Sequence, residues 1–557
     1  ALNTAVGYFA GLNMTTGVRN TLIGSLAGDA ITSGSDNLVL GYNAGGAMTS
    51  AQQNTAVGAY AADAITTGTA NVALGYNALT ASIDGDFNTA LGYKALEDYE
   101  DGDGNGHNTA VGAKSQLNAS TGEFNTSLGS LSMGAGITTG DQNVAIGYAT
   151  GISIAAGAFN ILVGNSAGTA ITTGTENVAI GHQALSTEDG HGKNVAVGHA
   201  ALLTLNAGVD AYNVAIGNIA GKFMTTGVQN TLIGGLAGDA LTTGSDNIAI
   251  GYQALSFEDT GSKNIAIGKA ALASQNYNGD AYNVAIGHLA GNQINTGTLN
   301  TIMGGLAGSA LTTGEKNIAI GHNALATEDT GGRSIAIGHG ALRYQNNDAS
   351  NYNTAIGYDA GTNITTGIKN TIIGANAGDA LTEGNNNIAI GHKALSTSVD
   401  GDENVAIGYL ALEDYEDGDG NGHNTAVGAR SQREATTGEF NTSLGRLSMG
   451  AGVTTGDHNT ALGYNSGVSL TSGAENMLIG SFAGDALTSG TRNVAIGYAA
   501  LSAEDGNGLN TAIGYQALKV QNAGANAENV AVGYNAGVAV TTGVQNTLIG
   551  ALAGQAL

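Results

Sequence analysis

The sequence contains no cysteine, no proline and no tryptophan. Without cysteine, neither disulfide bonds nor thiolate metal sites can form, although this absence does not identify a cellular compartment. Lysine and arginine number 17 against 44 aspartates and glutamates, which gives a net charge of −27 and argues against nucleic acid or an anionic membrane surface as partner. No apolar run approaches the roughly 18 residues of a transmembrane helix, and no signal peptide is recognisable.

What the sequence does contain is a pentapeptide, Asn247-Ile-Ala-Ile-Gly251 in one copy, that recurs 32 times with small changes. Its first position is Asn in all copies but one, where Ser334 replaces it, and its fifth position is always Gly. Copies start 17 to 20 residues apart, and four of them make a super-repeat of 70 residues, as from Asn213 to Asn283. Residues 1–557 are therefore predicted to form one continuous repeat array, whose abrupt ends suggest a segment of a longer protein.

A unit this short and rich in glycine predicts strands rather than helices. Helical repeats run to roughly 33–47 residues, and each Gly costs a helix about 1 kcal/mol relative to Ala. Short Val, Ile and Thr runs bounded by Gly and Asn are typical of strands between turns. The sequence therefore predicts an all-β fold, a parallel β-solenoid (β-roll) of about 32 turns with 17–20 residues per turn. With turns about 4.8 Å apart, the rod would be roughly 150 Å long.

Each position of the pentapeptide has an expected role. The Asn side chains at position 1 are expected to stack into a ladder of amides, while tolerance of a tight turn remains the alternative. Gly at position 5 indicates a positive φ or a close backbone approach. The ladder includes Asn230, Asn247, Asn264, Asn283 and Asn300.

Position 4 is expected to face the core, and position 3, which is Ala in 22 copies, is expected to face outwards. An outer face this apolar needs cover, because strands with continuous apolar runs are typically buried on both sides. The simplest cover is another copy of the same chain. We therefore predict a homotrimeric fibre, in which three thin coils share the burial that one coil lacks.

Two acidic segments resemble the start of a calcium-binding loop. The candidate oxygen ligands are Asp101, Asp103 and Asn105 in the first segment and Asp417, Asp419 and Asn421 in its copy. The twelfth position, which is Glu in an EF-hand, is Gly in both segments, so an EF-hand is excluded. A looser calcium site and a solvated acidic loop both remain open. Shorter acidic turns recur at 188–189, 258–259, 328–329 and 504–505.

Other chemistry is poorly supported by the residue pattern. The residue after the motif Gly is often Tyr or His, as at Tyr252 and His322, but it interchanges with Asn, Ala and Ser. This exchange favours packing or inter-chain hydrogen bonding over a stripe of metal ligands. No Ser-His-Asp arrangement stands out, so we expect no enzymatic activity and no cofactor other than the candidate calcium. An ice-binding surface is a further alternative, although Thr occupies position 2 in only 15 copies.

The longer steps between motifs place extra residues just before the next Asn. A solenoid cannot absorb extra residues in its stacked strands without shifting register. We therefore expect a row of protruding loops at one corner of the coil, rich in Asn, Asp, Tyr and Gly and suited to sugar contacts or lateral packing. These loops are 201–212, 271–282, 341–352 and 517–528, with acidic counterparts at 97–107 and 413–423.

The Asn-x-Ala-Ile-Gly unit with its Gly-rich turn resembles the heads of trimeric autotransporter adhesins. The segment Asn353-Thr-Ala-Ile-Gly-Tyr-Asp-Ala-Gly361, followed by Thr365-Thr-Gly367, resembles repeats of phage tail fibres and of surface proteins with an endosialidase-type chaperone domain. The resemblance covers nearly the whole chain and implies a trimeric β-roll outside the cell, on a cell or virion surface. The expected function is a structural or adhesive fibre shaft that presents lateral loops or a distal tip to surface carbohydrate or a host surface. A self-assembling extracellular filament is the alternative.

Overall fold

A computed structural model describes residues 2–100, 105–415 and 422–556 of the chain. These residues form a parallel β-solenoid of about 32 turns, and no α-helix occurs among them, which confirms the all-β prediction. Accordingly, the described ranges offer no helix long and apolar enough to span a membrane. The chain divides into two compact units, Ala1–Tyr282 and Asn283–Leu557.

Each turn contributes one strand of three residues, formed by positions 2 to 4 of the pentapeptide. The first unit contains β1–β16: Thr4–Val6, Thr21–Ile23, Leu38–Leu40, Thr55–Val57, Val72–Leu74, Thr89–Leu91, Thr109–Val111, Thr126–Leu128, Val144–Ile146, Ile161–Val163, Val178–Ile180, Val195–Val197, Val214–Ile216, Thr231–Ile233, Ile248–Ile250 and Ile265–Ile267. The second unit contains β17–β32: Val284–Ile286, Thr301–Met303, Ile318–Ile320, Ile335–Ile337, Thr354–Ile356, Thr371–Ile373, Ile388–Ile390, Val405–Ile407, Thr425–Val427, Thr442–Leu444, Thr460–Leu462, Met477–Ile479, Val494–Ile496, Thr511–Ile513, Val530–Val532 and Thr547–Ile549.

Within each unit the strands pair in parallel with equivalent positions opposite each other. Ala249 lies beside Ala266 across a step of 17 residues, and Ala196 lies beside Ala215 across a step of 19. The register therefore survives the longer steps, and the extra residues lie outside the strands as the sequence predicts.

The orientation of the strands differs from the sequence prediction. The position-3 residue is buried in every strand except the first and the last, whereas its two neighbours are partly or largely exposed. Ala249, for example, is fully buried between the half-exposed Ile248 and Ile250. The expectation that position 4 faces the core and position 3 faces outwards is therefore wrong. Side chains alternate along a strand, so a small inward residue at position 3 forces positions 2 and 4 to the outside.

The core is shared between the strand and the turn that follows it. Counting the motif Asn as position 1, twelve of the 22 turns with Ala at position 3 carry Leu at position 9, as do Ala249 and Leu255. Seven carry Gly, and a leucine of a neighbouring turn can then fill the space, as Leu232 does beside Gly221. Turns with Leu at position 3 carry Gly at position 9, as do Leu232 and Gly238, where an added Cβ would lie 2.8 Å from the Leu232 Cδ2 atom. The two positions therefore fill one volume in alternative ways.

The predicted Asn ladder is present. The Asn230 Oδ1 atom accepts a hydrogen bond from the backbone N–H of Asn247 at 3.0 Å, and Asn247 Nδ2 donates to the Gly261 carbonyl at 2.9 Å. Both side chains are fully buried, so the ladder satisfies backbone groups that water cannot reach. At the exceptional Ser334, Gln345 Nε2 donates to the serine Oγ at 3.0 Å and so replaces part of the missing amide.

Gly at position 5 meets both conditions that the sequence suggested. Gly251 has a φ of +136°, and a Cβ added to it would lie 2.5 Å from the Gly268 carbonyl oxygen of the next turn. Only glycine can adopt this conformation and also allow so close a contact between neighbouring backbones, because it has no Cβ.

The extra residues lie at the same place in the four turns of 19 residues. Each of these insertions follows the buried residue at position 12, as Leu205 in the first unit and Gln521 in the second, and its middle residues are largely exposed. Within each unit the loops therefore occupy one corner of the coil. Their role in binding stays a prediction.

Candidate interaction surface

The outward side chains at positions 2 and 4 form the most continuous apolar surface of each unit, here named the strand face. Position 4 is always Val, Ile, Leu or Met, and position 2 is an aliphatic residue, Met or Thr. Individual members remain well exposed, with Val72 and Leu74 each at 40%. Branched side chains pack well on a pleated strand, which explains why they are tolerated here, but their exposure to water is unfavourable.

The strand face is large enough to matter for association. Three residues of strand extend about 10 Å, and turns are about 4.8 Å apart. The sixteen turns of one unit therefore present about 770 Å². Monomeric proteins rarely expose a contiguous apolar patch of more than a few hundred Å², and a stable interface buries about 800 Å² on each partner.

A row of rings borders the strand face on the side of the motif Gly. The rings of His182 and His199 stack with centroids 5.3 Å apart, and the same spacing separates Tyr515 from both Tyr498 and Tyr534. Stacking between successive turns is the packing role that the sequence favoured for this position. In the ranges that the structure covers, no three potential metal ligands come together within this row.

A second row of side chains borders the strand face on the side of the motif Asn. Phe87, His107 and Phe124 stack at centroid distances of 4.9 and 5.0 Å, and both phenylalanines are about half exposed. These residues have φ values near +55°, a conformation that turns their side chains out of the ladder. The strand face and its two bordering rows thus form one broad surface, apolar at the centre, with aromatic side chains at both margins and charged side chains among those of the second row.

Charged groups stand on the loops and also in the second row, where Lys263 takes the position of Phe87 directly before the motif Asn. Lys263 Nζ lies 2.5 Å from Asp280 Oδ2 and 5.2 Å from the ring centroid of Tyr282. The hydrogen bond from Lys263 holds the pKa of Asp280 below its usual value. Lys193 and Asp210 form the equivalent ion pair at 2.7 Å. In both cases the ion pair connects the loop to the preceding turn.

A shallow groove of about 630 Å³ lies beside the loop 341–352. Tyr344, Asn363 and Thr365 line it with several Thr and aliphatic side chains. The Asn363 amide and the Thr365 hydroxyl already donate to backbone carbonyls of the next turn, at 2.7 and 3.2 Å. The groove therefore offers few polar groups for a sugar, and the strand face remains the stronger candidate.

The candidate calcium ligands lie almost entirely outside the described residues. This applies to Asp101, Asp103, Asp417, Asp419 and Asn421. The structure describes only Asn105, whose carbonyl accepts a hydrogen bond from the Tyr99 hydroxyl at 3.0 Å. Calcium binding by these segments stays a prediction.

The shorter acidic turns differ from the solvated loops that their composition suggests. Their glutamates, Glu188, Glu258, Glu328 and Glu504, are fully buried at position 12, where most other turns carry Leu, Ile or Met. Burial raises the pKa of each of these carboxyl groups. Comparing turns position by position could have revealed them, because a Glu stands in an apolar column.

Neither a protein-family profile nor a curated protein sequence matches the chain.

Proposed function

We propose that this chain is the shaft of a structural fibre, in which identical copies associate side by side through the strand face. The observation that carries the proposal is the exposed, uncharged apolar face that repeats on every turn. The chain's net charge of −27 opposes close approach of two copies elsewhere, because like charges repel. Among the described residues, the strand face combines a large apolar area with the absence of charge.

A second copy of the same chain suits this face better than an unrelated partner does. Its strands repeat at the same spacing, so side-chain rows of two copies can interdigitate along their whole length. A homotrimer about a common axis is the favoured arrangement, because each copy then meets two neighbours. Contacts with two neighbours cover both bordering rows as well as the strand face, whereas a face-to-face dimer leaves the bordering rows exposed.

A shaft of this kind fits a position outside the cell, on a cell or virion surface, where it would hold a binding tip away from that surface. Carbohydrate or a host surface would be contacted by the tip or by the loops. A self-assembling filament is the alternative for the same strand face. Ice binding gains less support, since Thr15, Thr32 and Thr49 donate their hydroxyl hydrogens to carbonyls of the next turn.

The proposal is tested by measuring mass in native solution. The wild-type chain should give about three times its mass of 55.0 kDa. Ile250→Glu with Ile267→Glu places two charges on adjacent turns of the strand face and should yield monomers with an unchanged circular dichroism spectrum. Thr226→Glu with Thr243→Glu, two exposed positions also one turn apart, is the matched control and should keep the wild-type mass.

The outcomes separate the alternatives. A wild-type chain that stays monomeric at high concentration would refute self-association. A two-chain mass that the Ile variants abolish would keep the interface and replace the trimer by a dimer. An open-ended series of masses would favour the filament.

A further inference from the structure

The turn that begins at Asn177 contains three potential ligand side chains that lie close together. One ligand atom from each of Glu188, Asp189 and His191 can be chosen so that all lie within 4.8 Å of one another. Of the residues that the structure describes, these alone form such a group. Proximity by itself is weak evidence, because acidic groups often cluster without a ligand, but equivalent turns allow a direct comparison.

Around two of the three equivalent glutamates, Glu258 and Glu328, the protein itself supplies the hydrogen bonds, whereas the Oε2 atom of the third, Glu504, is also buried without a hydrogen bond. Glu258 Oε1 accepts the Gly261 N–H at 2.7 Å, and Glu328 Oε1 accepts the Gly331 N–H at the same distance. Gln345, at position 12 of the following turn, also donates to Glu328 Oε2 at 2.9 Å. These glutamates therefore act as internal caps of their own turns.

The turn with Glu188 departs from this arrangement in two places. His191 replaces the Gly at position 15, and its N–H lies 3.3 Å from Glu188 Oε1. The longer distance has a steric cause, since a Cβ at the equivalent Gly261 would collide with the Glu258 carboxylate. In the next turn, Leu205 occupies the position that Gln345 holds beside Glu328, so no side-chain amide is available.

Two buried polar atoms are left without partners as a result. Glu188 is fully buried, and its Oε2 atom has no hydrogen bond. His191 Nδ1 is also buried and without a hydrogen bond, and it lies 3.9 Å from Glu188 Oε1. Along the position-12 column, Glu188 has Ile171 on one side and Leu205 on the other, so neither of these side chains can donate to it, and the backbone N–H of Ala207 is the donor that the next turn offers to the carboxylate.

We propose that Glu188, Asp189 and His191 bind a divalent transition-metal ion such as Zn²⁺. Zn²⁺ takes carboxylate oxygens and imidazole nitrogens at about 2.0–2.2 Å. Two donors of one tetrahedral ion therefore lie about 3.4 Å apart. Glu188 Oε1 and His191 Nδ1 are 3.9 Å apart, so a small rotation of either side chain would bring both to one ion. Asp189, which is exposed, would close the site on the solvent side and leave room for water.

The mixed oxygen and nitrogen donors select the class of ion. Ca²⁺ and Mg²⁺ prefer oxygen ligands alone, whereas imidazole suits Zn²⁺, Co²⁺ and Ni²⁺. The ion would link position 12 in the core to the exposed turn and so hold this turn closed. The site lies within the first unit and is independent of the strand face. A failure of the metal-binding test would therefore leave the proposed self-association unaffected, and the reverse also holds.

The test uses the full chain after dialysis against a chelator. Titration with Zn²⁺ should show one tight site per chain, and Co²⁺ should give a visible absorption band. His191→Gly and Glu188→Leu restore residues that other turns carry at the same positions, so both variants should fold. Each should weaken Zn²⁺ binding at least about 100-fold, since losing even an outer-shell partner costs 10–100-fold. His182→Tyr, an exposed ring outside the site, is the control and should bind like the wild type.

Hydrogen exchange gives a second, structural readout. With free Zn²⁺ at a hundred times its Kd, exchange through local opening of residues 188–194 should slow about 100-fold in the wild type and in His182→Tyr only. Equal Zn²⁺ binding by wild type and His191→Gly would overturn the assignment, as would a wild type that binds no Zn²⁺ below about 100 µM, an affinity of about −5.5 kcal/mol. In the second case, Glu188 and His191 form only an internal ion pair.

Discussion

Leu232 and Gly238 provide a direct test of how the narrow core is filled. Leu232 is fully buried, and its Cδ2 atom would lie 2.8 Å from a Cβ added at Gly238. The turn from Asn194 solves the same problem with Ala196 and Leu202. Exchanging the pair by Leu232→Ala with Gly238→Leu should therefore convert one natural arrangement into the other.

The single substitutions should each be harmful. Leu232→Ala leaves a cavity and should lower the local free energy of unfolding by about 2–5 kcal/mol. Gly238→Leu forces an overpacked side chain into the same volume, which costs about 1–3 kcal/mol. It also places a leucine at a φ of +53°, a conformation that Leu202 adopts at +48° in the template turn, for about 1–2 kcal/mol.

The double variant should be less unstable than the sum of the two single variants. Side chains in contact typically show an interaction energy of about 0.5–3 kcal/mol, and here we expect about 1–3 kcal/mol in the favourable direction. Full recovery is not expected, because Leu232 also fills the space beside Gly221 in the previous turn.

Native-state hydrogen exchange of peptides covering residues 231–250 is the suitable assay, since repeat arrays open locally as well as globally. In the regime where exchange reports opening equilibria, an interaction of 1–3 kcal/mol corresponds to about 5- to 150-fold slower exchange than additivity predicts. Additive effects would show that the side chains at positions 3 and 9 do not compete for one volume.

Two further predictions concern buried polar groups. Asn247→Asp keeps the acceptor of the ladder but loses the donor to the Gly261 carbonyl. It should therefore destabilise the protein by about 1–3 kcal/mol or more in thermal unfolding. The exposed control Asn218→Asp should have little effect. Burial raises the pKa of Glu258, so between the ordinary and the raised value the folded chain holds a proton that the unfolded chain releases. The free energy of unfolding should therefore fall as pH rises through this window and be greatest below it. Glu258→Gln should flatten this dependence of the free energy of unfolding on pH. Removing the exposed Glu315, whose pKa is lowered, is the control and should not flatten it.

The sequence predicts the strands, the ladder and the Gly positions because each follows from the identity of one repeated residue. It does not determine which side of the strand is inside. In a three-residue strand, positions 2 and 4 share one face and position 3 the other, but this alternation is the same for either orientation. The Ala at position 3 indicated close approach by another chain, whereas it is small because the core of the turn is narrow.

Information about the core was present in the differences between copies. Leu at position 3 occurs with Gly at position 9, as in Leu232 and Gly238, and Ala at position 3 occurs with Leu at position 9 in twelve of 22 turns, as in Ala249 and Leu255. Such exchange of volume between two positions indicates that they fill the same space. The pentapeptide ends before position 9, so it does not contain this relation. The pentapeptide alone therefore does not indicate that position 3 faces inwards.

The same comparison shows why the turn with Glu188 differs in kind from its equivalents. A buried glutamate at position 12 needs donors, and a Gly three residues later supplies one at 2.7 Å beside both Glu258 and Glu328. At Glu188, a His stands in place of that Gly, and Leu205 stands where Gln345 donates in the other super-repeat. The first change lengthens the backbone hydrogen bond to 3.3 Å and the second removes a side-chain donor, so neither serves the internal role of the glutamate. A cation bound between the Glu188 carboxylate and the His191 imidazole would supply the missing positive charge and would give both substitutions a role.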